Sequence, residues 1–211
     1  MNYIKKKCSI DNDLFKEIIE YTENLIEKYE GKSIHLSDEE FQTKNFNLYS
    51  KIKNHFINKK NVYLTIRVAF DDNSINEQFH YDGHEDSTVI PLIFKNFRNN
   101  ELNGDLYVSK KIRDRRDSWF TNLIKKILKQ NKVYRHLTKN YFLEEKYVKV
   151  FMKVGEEVTF NGFQVFHGNE KIKGKDKVRA SLIVHSEPLY ENNHIFNFIK
   201  YLRHKRHKLR N

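Results

Sequence analysis

From Tyr63 to His185 the apolar residues come in short runs rich in β-branched and aromatic side chains, broken by turn residues. Tyr63-Leu64-Thr65-Ile66-Arg67-Val68-Ala69-Phe70 is the first. Val89 to Phe94, Leu106 to Val108, Tyr147 to Val154, Glu157 to Phe160, Phe163 to Phe166 and Val178 to His185 follow. Asn103-Gly104-Asp105, Gly155 and Asn161-Gly162 punctuate them. Runs of this length with such turn signals read as strands. Many short strands must close on themselves or stack as two sheets, so a small barrel or jelly roll is expected.

Helical periodicity lies in front of this array. Leu14, Phe15, Ile18, Ile19, Leu25, Ile26 and Tyr29 recur at helical spacing behind the N-cap candidates Asp11 and Asn12, and Gly31 ends the pattern. Ser37 with Glu40 forms a capping-box pattern ahead of Phe41, Leu48, Ile52 and Phe56. A third pattern, roughly 118–128, carries Trp119, Leu123, Ile124, Ile127 and Leu128. The expected class is therefore mostly β with flanking helices (α+β), with N-terminal helices packed on one side and a helical insertion between strands.

The chain has 211 residues, and its 16 Phe and 12 Tyr supply much of a single packed core. Its single cysteine, Cys8, excludes an internal disulfide and a cysteine zinc site, and points to a reducing compartment. Cys8 is expected to lie before the fold proper. No apolar run is long enough to span a bilayer, and no apolar stretch follows the basic start, so a cytoplasmic protein is expected. The net charge of +11 raises nucleic acid or anionic membrane as a partner, but Lys200, Arg203, Lys205, Arg206, Lys208 and Arg210 supply six of those charges. With Ile195, Phe196, Phe198, Ile199 and Leu202 ahead of them, residues 195–211 suit peripheral contact with an anionic membrane or polyanion. They suit equally a helix packed on the barrel with a solvated basic end.

One segment carries chemistry: Phe79-His80-Tyr81-Asp82-Gly83-His84-Glu85-Asp86. In extended backbone His80 and Asp82 share a face. His167, at the end of a later run, is the candidate third ligand of a two-histidine, one-carboxylate site with open positions, as in non-haem Fe(II) oxygenases. Arg179 follows twelve residues later with Ser181 on the same strand face. A hairpin of Phe163–His167 with Val178–His185 is expected to bring the guanidinium and hydroxyl beside the metal pocket, suited to a carboxylate. His84-x-Asp86 repeats the ligand pattern and is the alternative pair. If His80 and Asp82 hold metal, His84 and Asp86 fall on the pocket rim. Tyr63, Thr65 and Arg67 alternate to one face of the first long strand, either as co-substrate contacts or as its polar side.

In this order the residues resemble the 2-oxoglutarate/Fe(II)-dependent dioxygenase superfamily of double-stranded β-helix (jelly-roll, cupin-like) fold. The resemblance rests on His80-x-Asp82, Gly104-Asp105-Leu106, Gly155 with Phe160 and His167, and Arg179-x-Ser181. It implies that His80, Asp82 and His167 hold Fe(II), and that Arg179 and Ser181 hold the distal carboxylate of 2-oxoglutarate. O2 is the oxidant, succinate and CO2 are released, and ascorbate serves as reductant. No acid or base beyond the ligands is assigned. It implies one oxygenase domain over 1–191, with a β-helix core at about 62–188, helices at about 11–57, an insertion at about 118–143, and a basic tail at 192–211. The carboxylate at Asp82 favours hydroxylation over halogenation. A small-molecule, lipid or saccharide substrate is expected, with no obligate protein partner. Protein (prolyl or lysyl) or nucleic-acid hydroxylation is the alternative, although His185 stands where the alkylation-repair branch has a second arginine. A cupin-like metal-binding protein that is not an oxygenase is the alternative of another class, and it has no need of Arg179-x-Ser181.

Overall fold

The computed structural model describes residues 2–29, 31–70, 80–96, 105–112, 147–169, 172 and 176–188. The expected insertion at 118–143 and the basic tail at 192–211 lie outside the described residues.

A six-stranded antiparallel sheet forms the larger wall. Its strands are β1 (Tyr3–Lys7), β2 (Ile34–Leu36), β3 (Tyr63–Phe70), β4 (His84–Lys95), β7 (Glu156–Asn161) and β9 (Val178–Pro188), in the order β1-β7-β4-β9-β3-β2. The smaller sheet has β5 (Leu106–Ile112), β6 (Tyr147–Val150) and β8 (Val165–Asn169), in the order β6-β5-β8. Strand alternation gives the larger sheet two different faces. Leu64, Ile66, Val68, Ile90, Leu92, Ala180, Leu182 and Val184 pack on the helices. On the other face Val89, Val158 and Phe160 meet Leu106, Val108, Val150 and Val165 of the smaller sheet. This two-sheet sandwich with helices on one outer face is the mostly β jelly roll that the run pattern predicts.

Among the described residues, three helices cover the outer face: α1 (Asn12–Lys28), α2 (Asp38–Lys44) and α3 (Phe46–His55). Asp11 caps α1 by accepting from the Leu14 N–H at 2.9 Å. Ser37 and Glu40 close the expected capping box on α2. The periodic stretch from Phe41 to Phe56 is two helices, because the Asn45 side chain accepts from the Leu48 N–H at 3.1 Å and starts α3 there. No helix among the described residues is long and apolar enough to cross a membrane.

Three expectations change. The segment before Cys8 belongs to the fold: β1 pairs with β7 from Tyr3↔Phe160 to Lys7↔Glu156. Its Lys-rich sequence masks a strand because an edge strand exposes most of its side chains. The β4 run extends back to His84 and tolerates Pro91 because the register with β9 shifts between Pro91 and Ile93. That irregularity lets Ile90, Leu92 and Ile93 all face the helices. Finally, Phe163–His167 and Val178–His185 do not form a hairpin. β8 pairs with β5 in the smaller sheet and β9 with β3 and β4 in the larger one. Antiparallel runs adjacent in sequence suit a hairpin, and only the inter-sheet core shows that the chain changes walls there.

Candidate metal centre

β8 and the segment before β4 build the site. The backbone of His80 donates to the His167 carbonyl at 2.8 Å, and the His167 N–H donates back to the His80 carbonyl at 3.0 Å. Directly opposed antiparallel residues project to one face, and the two rings lie 4.5 Å apart, centroid to centroid. Asp82, two residues on, joins the same face. Its carboxylate lies 3.2 Å from His80 Nε2 through Oδ1 and 3.4 Å from His167 Nε2 through Oδ2. One ligand atom from each of the three lies within 4.8 Å of the others, and among the described residues this is the one such cluster.

The protonation pattern suits a cation. His167 Nδ1 is 3.0 Å from the Val165 carbonyl, which can only accept, so Nδ1 carries the proton and Nε2 presents a lone pair toward Asp82. Burial pushes the His167 imidazole down to about 4, against the pull of the Asp82 carboxylate. Burial also works against ionised Asp82. The imidazoles of His167, His185 and His80 outweigh it and hold the carboxyl well below the usual range. Two imidazole nitrogens and one carboxylate on a single face match the donor set favoured by Fe(II).

Asp82 is fixed by more than the histidines. Its N–H donates to the Gly162 carbonyl at 2.8 Å, and the Gly162 N–H donates to Glu85 at 2.8 Å. Ser87 Oγ donates to Asp82 Oδ2 at 2.5 Å and lies 2.9 Å from His185 Nδ1. The sequence reading of Asn161-Gly162 as a turn misses the reason for the glycine. A Cβ there would lie against Ser87 Oγ, 2.7 Å from Asp82 Oδ2 and 2.9 Å from Asp82 Cβ. Asp105, of the Gly104-Asp105-Leu106 motif, is 1% exposed and accepts from the Met152 N–H at 3.2 Å, tying the start of β5 to the segment that follows β6.

Arg179 and Ser181 are both buried on β9. Their neighbours Val178, Ala180 and Leu182 pack on the helices, so alternation turns Arg179 and Ser181 toward the space between the sheets. Ser181 stands opposite Arg67 on β3 and Pro91 on β4, and Arg179 opposite Ala69 and Phe94. Burial draws the Arg67 guanidinium below its ordinary value. The alternative pair is not assembled into the cluster: Asp86 pairs with Asn161 and Ser186 along the strands. The His84 ring stacks on His185 at 4.7 Å, beside the three-residue cluster.

No sequence-family profile matches the chain, and no curated protein matches it in sequence. Solved structures do. HygX from Streptomyces hygroscopicus, with nickel and 2-oxoglutarate bound, superposes with a TM-score of 0.52 at 10% identity, over 89% of this chain and 83% of that one. SnoK, a non-haem alpha-ketoglutarate-dependent carbocyclase from nogalamycin biosynthesis, gives 0.51 at 13% identity over 93% and 86%. The fold is that of the 2-oxoglutarate/Fe(II)-dependent oxygenases. A prolyl 4-hydroxylase from Phytophthora capsici shares this oxygenase fold at 0.54 and 11% identity, and there the chain spans 90% of itself but 60% of the relative. At these identities the oxygenase fold is common to proteins with different reactions, so the substrate is a matter for the pocket's own residues.

Proposed function

We propose that this chain is an Fe(II)- and 2-oxoglutarate-dependent oxygenase that hydroxylates a small-molecule, lipid or saccharide substrate. The observation that carries the reading is the pairing of two features in one fold. His80, Asp82 and His167 converge within ligand distance of one another, and a buried Arg179-x-Ser181 lies on the inner face of β9. A metal-binding jelly roll without a co-substrate has no use for a buried guanidinium and hydroxyl facing its interior. A carboxylate is the natural bidentate partner of a guanidinium.

Each residue has a defined task. His80 and His167 offer imidazole nitrogens, and Asp82 offers the charge that favours a divalent cation. Arg179 and Ser181 bind and orient the distal carboxylate of 2-oxoglutarate. Phe160, whose ring lies 4.5 Å from that of His167, backs the ligand imidazole with apolar surface. When bound, iron with 2-oxoglutarate and O2 supplies the oxidising chemistry and yields succinate and CO2.

The test is succinate release from 2-oxoglutarate by the full chain with Fe(II), ascorbate and O2, beside anaerobic titration of 2-oxoglutarate onto the Fe(II) protein. Arg179→Leu should weaken 2-oxoglutarate binding by the roughly 2–5 kcal/mol typical of truncating one member of a buried charged pair. His167→Ala should abolish iron binding. Binding of 2-oxoglutarate that ignores Arg179→Leu, or iron binding that survives His167→Ala, would refute the assignment.

A further inference from the structure

We infer that Ser87 and His185 are positioning residues that hold the Asp82 carboxylate in its metal-binding orientation. The inference rests on the metal-site reading above and deepens it.

The larger sheet places four residues in one transverse row. Ser87 of β4 stands in register with Phe160 of β7 on one side and His185 of β9 on the other, and His185 stands in register with Tyr63 of β3. This row underlies the ligands. Phe160 packs against the His167 ring at 4.5 Å. Ser87 is fully buried, and its hydroxyl is 2.5 Å from Asp82 Oδ2, the length of a charge-assisted O–H···O⁻ bond.

The direction of the chain of bonds follows from donor counting. A serine hydroxyl has one proton. That proton is on the bond to Asp82, since an ionised carboxylate can only accept. The same oxygen must then accept from His185 Nδ1, 2.9 Å away. His185 is thereby fixed as the Nδ1–H tautomer, and its ring is held further by stacking on His84 at 4.7 Å and 19°. The series His185–Ser87–Asp82 runs one way, and each member polarises the next.

The consequence concerns one oxygen. Oδ2 receives the Ser87 hydroxyl, while Oδ1 faces His80 Nε2 at 3.2 Å. With one lone pair of Oδ2 taken, Asp82 is held against rotation about its carboxyl group. Residues that orient a ligand in this way generally matter 10- to 100-fold for metal affinity. Gly162 belongs to the same device, because only a residue without a Cβ leaves space for Ser87 and Asp82 to meet.

The experiment uses metal-stripped full-length protein titrated with Co(II), read by calorimetry and by the Co(II) visible absorption, beside thermal melting. Ser87→Ala should bind Co(II) 10- to 100-fold more weakly, with an altered absorption band. His185→Leu should weaken binding less. His185→Asn should recover most of that loss, because its side-chain N–H can stand where Nδ1–H does. Wild-type affinity and spectrum in both Ser87→Ala and His185→Leu overturn the inference, as does His185→Asn binding no better than His185→Leu. Failure of the wild-type chain itself to bind Co(II) overturns the metal-site reading, and this inference with it.

Discussion

Gly162→Ala tests the site's construction most directly. The added methyl would lie 2.9 Å from Asp82 Cβ and 2.7 Å from Asp82 Oδ2, and against Ser87 Oγ. Ordinary carbon–carbon contacts are about 3.5–4.0 Å, so Asp82 would have to retreat by roughly 0.6–1.1 Å. Neither neighbour has room: Ser87 is fully buried, and the Asp82 backbone is bonded to Gly162 itself. Overpacking of this kind costs about 1–3 kcal/mol. Because Gly162 does not have positive φ, alanine also removes unfolded-state entropy worth about 0.4–1 kcal/mol in the stabilising direction. A net loss of about 1–2 kcal/mol corresponds to about 2–8 °C of melting temperature for a chain of this size. The displaced carboxylate should also weaken Co(II) binding by about 10- to 100-fold. Gly155→Ala is the control. Gly155 has φ +82° and no atom within 4 Å of a built Cβ, so that variant should lose about 1–2 kcal/mol through backbone strain alone and keep its Co(II) affinity. A Gly162→Ala protein that melts at or above the wild-type temperature and binds Co(II) unchanged would refute the reasoning.

Two further outcomes concern the frame. Burial disfavours ionised Glu157, but the Ser9 N–H and hydroxyl and the Lys6 ammonium outweigh it and hold its carboxyl below the ordinary 4.5. A lowered native value means the unfolded state binds more protons, so this stabilisation is complete above pH 4.5 and is lost as pH falls through the native value. Glu157→Gln should therefore be less stable at pH 7 and lose less stability than wild type between pH 5 and pH 3. Parallel urea-midpoint profiles for the two proteins would contradict it. Ser37→Ala removes the α2 capping box and should cost about 1 kcal/mol, read as a lower urea midpoint with unchanged Co(II) affinity.

The fold was legible wherever one face of an element is buried and the other is not. Tyr63 to Phe70 alternates between helix-side Leu64, Ile66 and Val68 and inward Thr65 and Arg67, and the strand has the bounds that the pattern predicts. Capping chemistry located α1 and α2 because Asp11 and Ser37 act within three residues of themselves. β1 and β2 were not legible. β1 sits at an edge and exposes most of its side chains, and β2 has three residues, too few for a period. The supposed hairpin between Phe163 and His185 failed for a related reason. Pairing partners are set by which wall a strand joins, and periodicity within a strand carries no information about that.

The same distinction separates the ligand residues from those that support them. His80 and Asp82 are two apart, and Arg179 and Ser181 are two apart. A shared face at spacing two is a property of a single extended segment, so it can be read from the chain alone. Ser87 and His185 are 98 residues apart. Their meeting depends on the register of β4 with β9, which includes the irregularity at Pro91. If that irregularity were absent, the pairs on one side of it would slip by one residue relative to those on the other. Arg179 would then oppose Ile93 and not Phe94, while Ser181 and His185 would keep Pro91 and Ser87 as partners. Taken alone, His185 is an unremarkable strand-end histidine. In register it stands one hydroxyl away from Asp82. The ligands of such a site can be nominated from spacing, whereas the residues that aim them are specified by the pairing of distant strands.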